Sequence, residues 1–136
     1  MSATRLLASA VIALGLAVSC TADTGAEDGE PPEDSEQRYP YVVDVDPERD
    51  GETFSFAVTI SSPYDSPERY ADGWRVTDED GTVYGEHSLA HDHANEQPFT
   101  RTQTGVSIPA DVDEVIVEGR DQQYGYGGET VTVTLP

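Results

Sequence analysis

Lysine is absent from the 136-residue sequence, and cysteine, methionine and tryptophan occur once each. The single cysteine, Cys20, excludes an internal disulfide and any zinc or iron–sulfur site that needs several cysteines. The single methionine is Met1, which excludes a methionine-rich copper site. No glycine-framed serine, phosphate-binding loop or nucleotide-binding glycine motif occurs either. The sequence therefore predicts a protein that is not an enzyme.

Positive charge is also scarce, because 27 acidic residues face only 7 basic ones, all of them arginine. The formal net charge is −20 at pH 7. Such a surface repels the phosphates of nucleic acids, so we expect no nucleic-acid partner. A large acidic excess without lysine resembles proteins from salt-loving organisms, in which high ionic strength screens self-repulsion.

The first twenty residues have the pattern of a secretion signal. Arg5 precedes LLASAVIALGLAV, thirteen uncharged residues that are too few for a membrane span and typical of the apolar part of a signal peptide. The run leads into LAVSC, in which small residues precede Cys20. This segment resembles the lipobox of prokaryotic lipoproteins. The resemblance implies a signal peptide over residues 1–19 and lipidation of Cys20 with diacylglyceryl chains such as palmitate.

Two acyl chains hold a protein stably on a membrane, so the resemblance also implies an extracytoplasmic protein anchored to the cell membrane by lipid. The lipidated cysteine and an acidic tether are expected over residues 20–37. The stretch TADTGAEDGEPPEDSE has seven carboxylates and no positive, aromatic or branched aliphatic residue. It cannot bury enough apolar surface to offset its ordering entropy, so the tether is predicted to be disordered.

Residues 38–136 have the alternating pattern of short β-strands, with no helix pattern. Trp74 is expected to anchor the core, and Asp80-Gly81 to form a hairpin turn. After this turn, the return strand is expected to carry Val83, Gly85, His87 and Leu89 on one face. The sequence predicts one antiparallel β-sandwich of about seven strands. The strand-bearing segments are residues 39–45, 52–62, 73–89, 99–109, 113–121 and 129–136.

The last two of these segments resemble the end of bacterial immunoglobulin-like and fibronectin III-like domains. The resemblance rests on VIVEGRD, the glycine-rich QQYGYGG and the final ETVTVTLP. It implies an all-β, Ig-like or fibronectin III-like sandwich. It implies no activity, because such sandwiches carry many different functions.

All three histidines lie in the stretch GEHSLAHDHANEQPFTR. His87, His91 and His93, with Glu96, are the candidate ligands of a divalent metal, although their spacing matches no established metal motif. Two other interpretations stay open: a polar loop whose histidines bond locally, and a pH-responsive patch. Neighbouring carboxylates are expected to favour protonated imidazole, which competes with metal binding. We therefore expect no tight transition-metal site and no resident cofactor.

Arginines and tyrosines supply the other candidate contacts. Arg75 and Arg101 can bind an anion or a protein partner through their guanidinium groups, and Tyr124 and Tyr126 can stack on a sugar or a partner. The alternative is that the arginines pair with carboxylates such as Glu86, Glu96 or Glu118 on the sheet faces, and that the tyrosines cover the core edge.

The interpretation that these patterns favour is a cell-surface lipoprotein that displays a non-catalytic Ig-like interaction or structural module. Its expected partners are the membrane, through the lipid, and an envelope protein or carbohydrate. The alternative is an extracytoplasmic metal-binding protein that uses His87, His91 and His93.

Overall fold

The computed structural model describes residues 37–136, which fold into strands and connections without a helix. The signal peptide, Cys20 and nearly all of the acidic tether lie outside these residues. No helix in this part of the chain is long and apolar enough to cross a membrane. The strands are β1 (Tyr41–Asp50), β2 (Thr53–Ser61), β3 (Ala71–Thr77), β4 (Val83–Ser88), β5 (Phe99–Val106), β6 (Glu114–Asp121), β7 (Gly125–Tyr126) and β8 (Val131–Thr134).

The strands form two antiparallel sheets that face each other as a β-sandwich, which confirms the predicted fold class. One sheet has three strands in the order β1-β2-β5. The other has five strands, in which β3 lies between β4 and β6, and both β7 and β8 pair with β6. Strand β8 pairs with the first half of β6 and β7 with its last two residues.

Alternation along the strands places the predicted residues in the core between the sheets. Phe56, Val58 and Ile60 of β2 have no exposed surface, and neither does Trp74 of β3. The indole Nε1 of Trp74 donates a buried hydrogen bond of 2.8 Å to Oε1 of Gln103, on β5 of the facing sheet. Trp74 therefore anchors the core as predicted, and it also joins the two sheets by a polar contact.

Three details of the strands differ from the prediction. Strand β1 continues to Asp50, through Pro47, rather than ending at Val45. An edge strand tolerates proline because its outer backbone groups need no partner. Val83 is 42% exposed and does not share the face of Gly85 and His87, because a register shift between Val76 and Thr77 interrupts the alternation. A two-residue strand, β7, occupies part of the glycine-rich segment that was expected to be a connection.

The start of the domain is seated in a groove made by glycines. A Cβ atom on Gly119 would lie 2.8 Å from the Pro40 ring, and one on Gly127 would lie 2.7 Å from the Tyr39 ring. A Cβ on Gly128 would collide with the carbonyl oxygen of Pro40. The Gly-Tyr-Gly-Gly segment thus makes room for the chain that enters β1.

The strand connections gather at two ends of the sandwich, a proximal end and a distal end. The proximal end holds residues 37–40 and the connections 62–70, 89–98 and 122–124, which contact one another through hydrogen bonds. The distal end holds the connections 51–52, 78–82 and 107–113. The segment that leads from the predicted tether therefore joins the proximal end.

Candidate functional site

The structure divides the histidine stretch into two parts. His87 lies on β4 directly opposite Trp74, and its ring stacks on the indole with centroids 4.3 Å apart. His91 and His93 lie in the loop between β4 and β5, with ring centroids 4.8 Å apart. The fourth candidate ligand, Glu96, is bound to Arg101, with 2.9 Å between Oε2 and the guanidinium nitrogen.

Within residues 37–136, no group of three or more His, Cys, Asp or Glu side chains is arranged to hold a metal ion. The two loop histidines are the only candidate ligands whose rings contact each other in this part of the chain. The arrangement resembles the predicted polar loop more closely than a metal centre, because neighbouring groups already bind Glu96 and the ring of His87.

The loop that carries His93 is fastened to its neighbours by polar contacts. The backbone amide of His93 donates to Oδ2 of the buried Asp65 at 2.9 Å. The other oxygen of Asp65 accepts the amide of Ala71 at 3.0 Å. Gln97 accepts the Ser62 amide through Oε1 at 2.6 Å and donates from Nε2 to the carbonyl oxygen of His93 at 3.0 Å.

The pKa values of His87 and His93 contradict the expectation that nearby carboxylates favour protonated imidazole. Burial lowers the pKa of His87. Burial also lowers the pKa of His93, and the positive charge of Arg101 lowers it further. For His93, removal from water and the charge of Arg101 outweigh the attraction of Glu96 and Asp65, and for His87 removal from water is the cause, so the neutral forms are favoured at pH 7.

Arg75 and Tyr126 meet on the outer face of the five-stranded sheet. The Arg75 guanidinium lies 3.9 Å from the centre of the Tyr126 ring and binds Oε1 of Glu118 at 2.7 Å. The Tyr126 hydroxyl donates to Oε1 of Glu86 at 2.8 Å. Burial, followed by this hydrogen bond, raises the pKa of Tyr126. The groups predicted to contact a ligand thus bind one another.

Arg101 and Tyr124 lie in two other clusters. Arg101 pairs with Glu96, as the charge-pairing interpretation predicted. Tyr124 lies at the proximal end, where its ring is 5.5 Å from the Arg38 guanidinium and 5.0 Å from that of Arg69. Arg69 also lies 4.1 Å from the centre of the Tyr64 ring. The four predicted contact residues therefore do not form a single site in this part of the chain.

Asp121 organises this proximal cluster from the end of β6. Its carboxylate is buried and binds Arg69 at 3.1 Å, and its Oδ2 accepts the amides of Gln123 and Tyr124. Burial on its own would raise the pKa of Asp121, but the neighbouring Tyr64 hydroxyl and the other donors hold it below the usual value. Burial raises the pKa of Tyr64.

An open cleft lies at the distal end and was not anticipated from the sequence. Its volume is about 890 Å³, and Tyr84, Ile116 and Thr132 line its sheet side. Tyr84 donates a hydrogen bond of 2.7 Å to Asp78, which raises the pKa of Tyr84 to about 12 and lowers that of Asp78. The carboxylates that line the cleft are those of Asp78, Glu79, Asp80, Asp111, Asp113 and Glu114.

The sequence features that mark this cleft are two acidic segments, DED at residues 78–80 and DVDE at residues 111–114. Each run reads as an ordinary polar connection. Only the pairing of β3 with both β4 and β6 brings the two connections to the same end of the sandwich. The sequence alone does not show that pairing.

Comparison with known proteins relates the chain to a protein of Halomicrobium mukohataei that bears the name "Putative lipoprotein". The two are 37% identical over 97 residues, which is 71% of this chain and 47% of the relative. The chain thus spans about half the length of that relative. Because only 36 residues precede the described part, most of the similarity falls within the sandwich.

No protein-family model matches the chain. No solved structure matches it either.

Proposed function

We propose that the chain is an extracytoplasmic lipoprotein, anchored to the cell membrane through lipid on Cys20, whose residues 38–136 form a non-catalytic Ig-like interaction module. The observation that carries the proposal is the LAVSC segment at the end of an uncharged run. The name of the Halomicrobium relative supports it, since the similarity extends over 71% of this chain.

The order of the strands supports the Ig-like part of the proposal. Strands β1, β2 and β5 share one sheet, and β3, β6 and β8 share the other. In immunoglobulin-type sandwiches, strands A, B and E share one sheet, and strands C, F and G share the other. The buried Trp74 lies on the third strand, where that fold class carries its core tryptophan.

The surface of the sandwich supports a binding role at its distal end. On the outer sheet face, the arginines at positions 75 and 120 bind Glu118 and Asp72, so these groups stabilise the face. The open cleft at the distal end lies opposite the end that the tether joins. A partner at the envelope, either a protein or a carbohydrate, can therefore approach the domain from the side away from the membrane.

The anchoring part is tested by changing Cys20 to serine. The variant should move from the membrane fraction to the medium, because the atom that carries the acyl chains is gone. Ser19→Ala is the matched control, since it keeps the cysteine and should stay with the membrane. A Cys20→Ser protein that remains membrane-bound, beside a wild type that incorporates no labelled fatty acid, would contradict the anchor.

The second candidate function is metal binding, and the contact between the His91 and His93 rings is the observation that favours it. We expect calorimetric titration of zinc and copper into the full chain to show only weak, unselective binding to carboxylates. Ordering a loop around a metal costs about 1–2 kcal/mol per fixed residue, and the loop has no third ligand in place. Submicromolar binding of one metal per chain, lost when both histidines become alanine, would make metal binding the preferred function.

A further inference from the structure

The imidazole of His93 covers the first residue of β5. His93 is 4% exposed, and its ring lies parallel to the ring of Phe99, that first residue, with centroids 3.9 Å apart. Its Nδ1 atom is buried and has no hydrogen-bond partner among residues 37–136. The ring is therefore held by packing on Phe99 rather than by a hydrogen bond from Nδ1. Only the neutral form of imidazole fits such a position without a large desolvation cost.

Charged groups from three elements face this ring, and together they do not compensate a positive charge. Arg101 from β5 and His91 from the same loop disfavour the protonated ring, while Glu96 and Asp65 favour it. The carboxylate of Glu96 is already paired with Arg101. Both oxygens of Asp65 accept backbone amides. A proton on Nδ1 of His93 would thus be a buried donor without an acceptor.

The loop that carries His93 is held closed by a small number of contacts. Leu89 donates its amide to the carbonyl oxygen of Asp72 at 2.9 Å, and Gln97 contacts Ser62 at the other end of the loop. Between these two points, the backbone amide of His93 binds the buried Asp65, and the side chain of His93 is the buried side chain of the loop. If the ring leaves its place on Phe99, the middle of the loop has little else to bury.

We infer that His93 is an acid-operated latch, which releases the loop of residues 89–98 from the start of β5 when its imidazole takes up a proton. Release uncovers Phe99 and the first residues of β5, while the core around Trp74, including its hydrogen bond to Gln103 farther along β5, stays closed. The latch does not depend on the lipid anchor or on the proposed binding role.

The direction of the pH dependence follows from the lowered pKa of His93 in the closed loop. The open loop binds the proton at the ordinary value of 6.5. The stability that the closed latch supplies is therefore complete above pH 6.5, and it is lost as the pH falls through the lowered value. The population of the open loop should rise by up to roughly 25-fold between pH 7 and pH 5, the limit for one proton taken up at a pKa of 6.5.

Amide hydrogen exchange on the full chain between pH 7 and pH 5, corrected for the intrinsic exchange rate, measures this opening. As the pH falls, we expect the corrected exchange rate to rise at residues 89–99 and to change little in β2, β3 and β6. His93→Gln cannot titrate and should abolish the pH-dependent rise. His87→Gln is the matched control, because it removes a histidine that stacks on Trp74 instead, and it should keep the rise.

Three results would overturn the latch. A His93→Gln variant that retains the rise would show that another group controls the loop. A wild-type rise that is equal in all strands would show global unfolding. A direct NMR titration of the wild type also decides the question without any variant, because a His93 ring that titrates at 6.5 or above is not held neutral by the fold.

Discussion

At the scale of single residues, the contact between Trp74 and Gln103 is a buried polar link between the two sheets. Both side chains are buried, and the indole N–H has the Gln103 side chain as its hydrogen-bond acceptor. A buried donor that loses its acceptor costs the full desolvation penalty, which exceeds the net gain from making the bond. Gln103 is therefore a polar residue that the core requires.

Changing Gln103 to leucine should lower the free energy of unfolding by about 1–3 kcal/mol, because the N–H of Trp74 is then left unsatisfied. Denaturant unfolding of the full chain, followed by circular dichroism, measures the loss. Gln122→Leu is the matched control, since Gln122 is exposed, and it should change stability by less than about 0.5 kcal/mol. Equal effects of the two changes would mean that the hydrogen bond contributes nothing specific.

At the scale of strands, β5 is the element most exposed to unwanted pairing. It is the edge of the three-stranded sheet and runs for eight residues, Phe99–Val106, without proline. Arg101 lies on the same face of β5 as the buried Phe99 and Gln103, so a charged side chain occupies the inner face at this edge, with its guanidinium at the exposed rim beside Glu96. A charge on the inner face and a register shift near Gly105 are two devices by which proteins prevent edge strands from joining.

Changing Arg101 to valine should therefore promote association between copies of the chain, because the edge becomes continuous and apolar on its inner side. Sedimentation velocity over a range of concentrations measures the association. Arg75→Val removes the same charge from β3, which is paired on both sides, and should leave the sedimentation of the chain unchanged. An Arg101→Val protein that sediments like the wild type would assign the edge protection to the register shift alone.

The strands also show what the sequence could and could not predict. The core faces of β2, β3 and β6 follow from alternation, because one face of each is buried by the opposite sheet. The register shift that turns Val83 outward has no such signal, since it depends on how β4 pairs with β3. The contact between Asp65 and the His93 loop has no sequence signal either, because the two residues lie 28 positions apart.

At the scale of the whole molecule, positive and negative charges are unevenly distributed. Within residues 37–136, four arginines pair with carboxylates, at positions 69, 75, 101 and 120. The carboxylates around the distal cleft gather at one end, in a chain whose net charge is −20. Like charges at that density repel one another, and the repulsion is weakened by dissolved salt.

The full chain should melt at a higher temperature in molar potassium chloride than in dilute buffer. The Debye length falls from about 10 Å at 0.1 M to about 3 Å at 1 M, which screens repulsion between the exposed acids. A variant with Asp80→Asn and Asp111→Asn should show a smaller salt response, because both residues line the cleft. A melting temperature that is flat or falls with salt would mean that the existing ion pairs already balance the acids.

The stack of His87 on Trp74 has an optical consequence. Trp74 is the single tryptophan, so fluorescence excited in the indole band comes from one fully buried ring in contact with one imidazole. A protonated imidazole accepts an excited-state electron more readily than a neutral one. The fluorescence of the folded chain should therefore be short in wavelength and bright at neutral pH, and it should dim as His87 takes up its proton in acid.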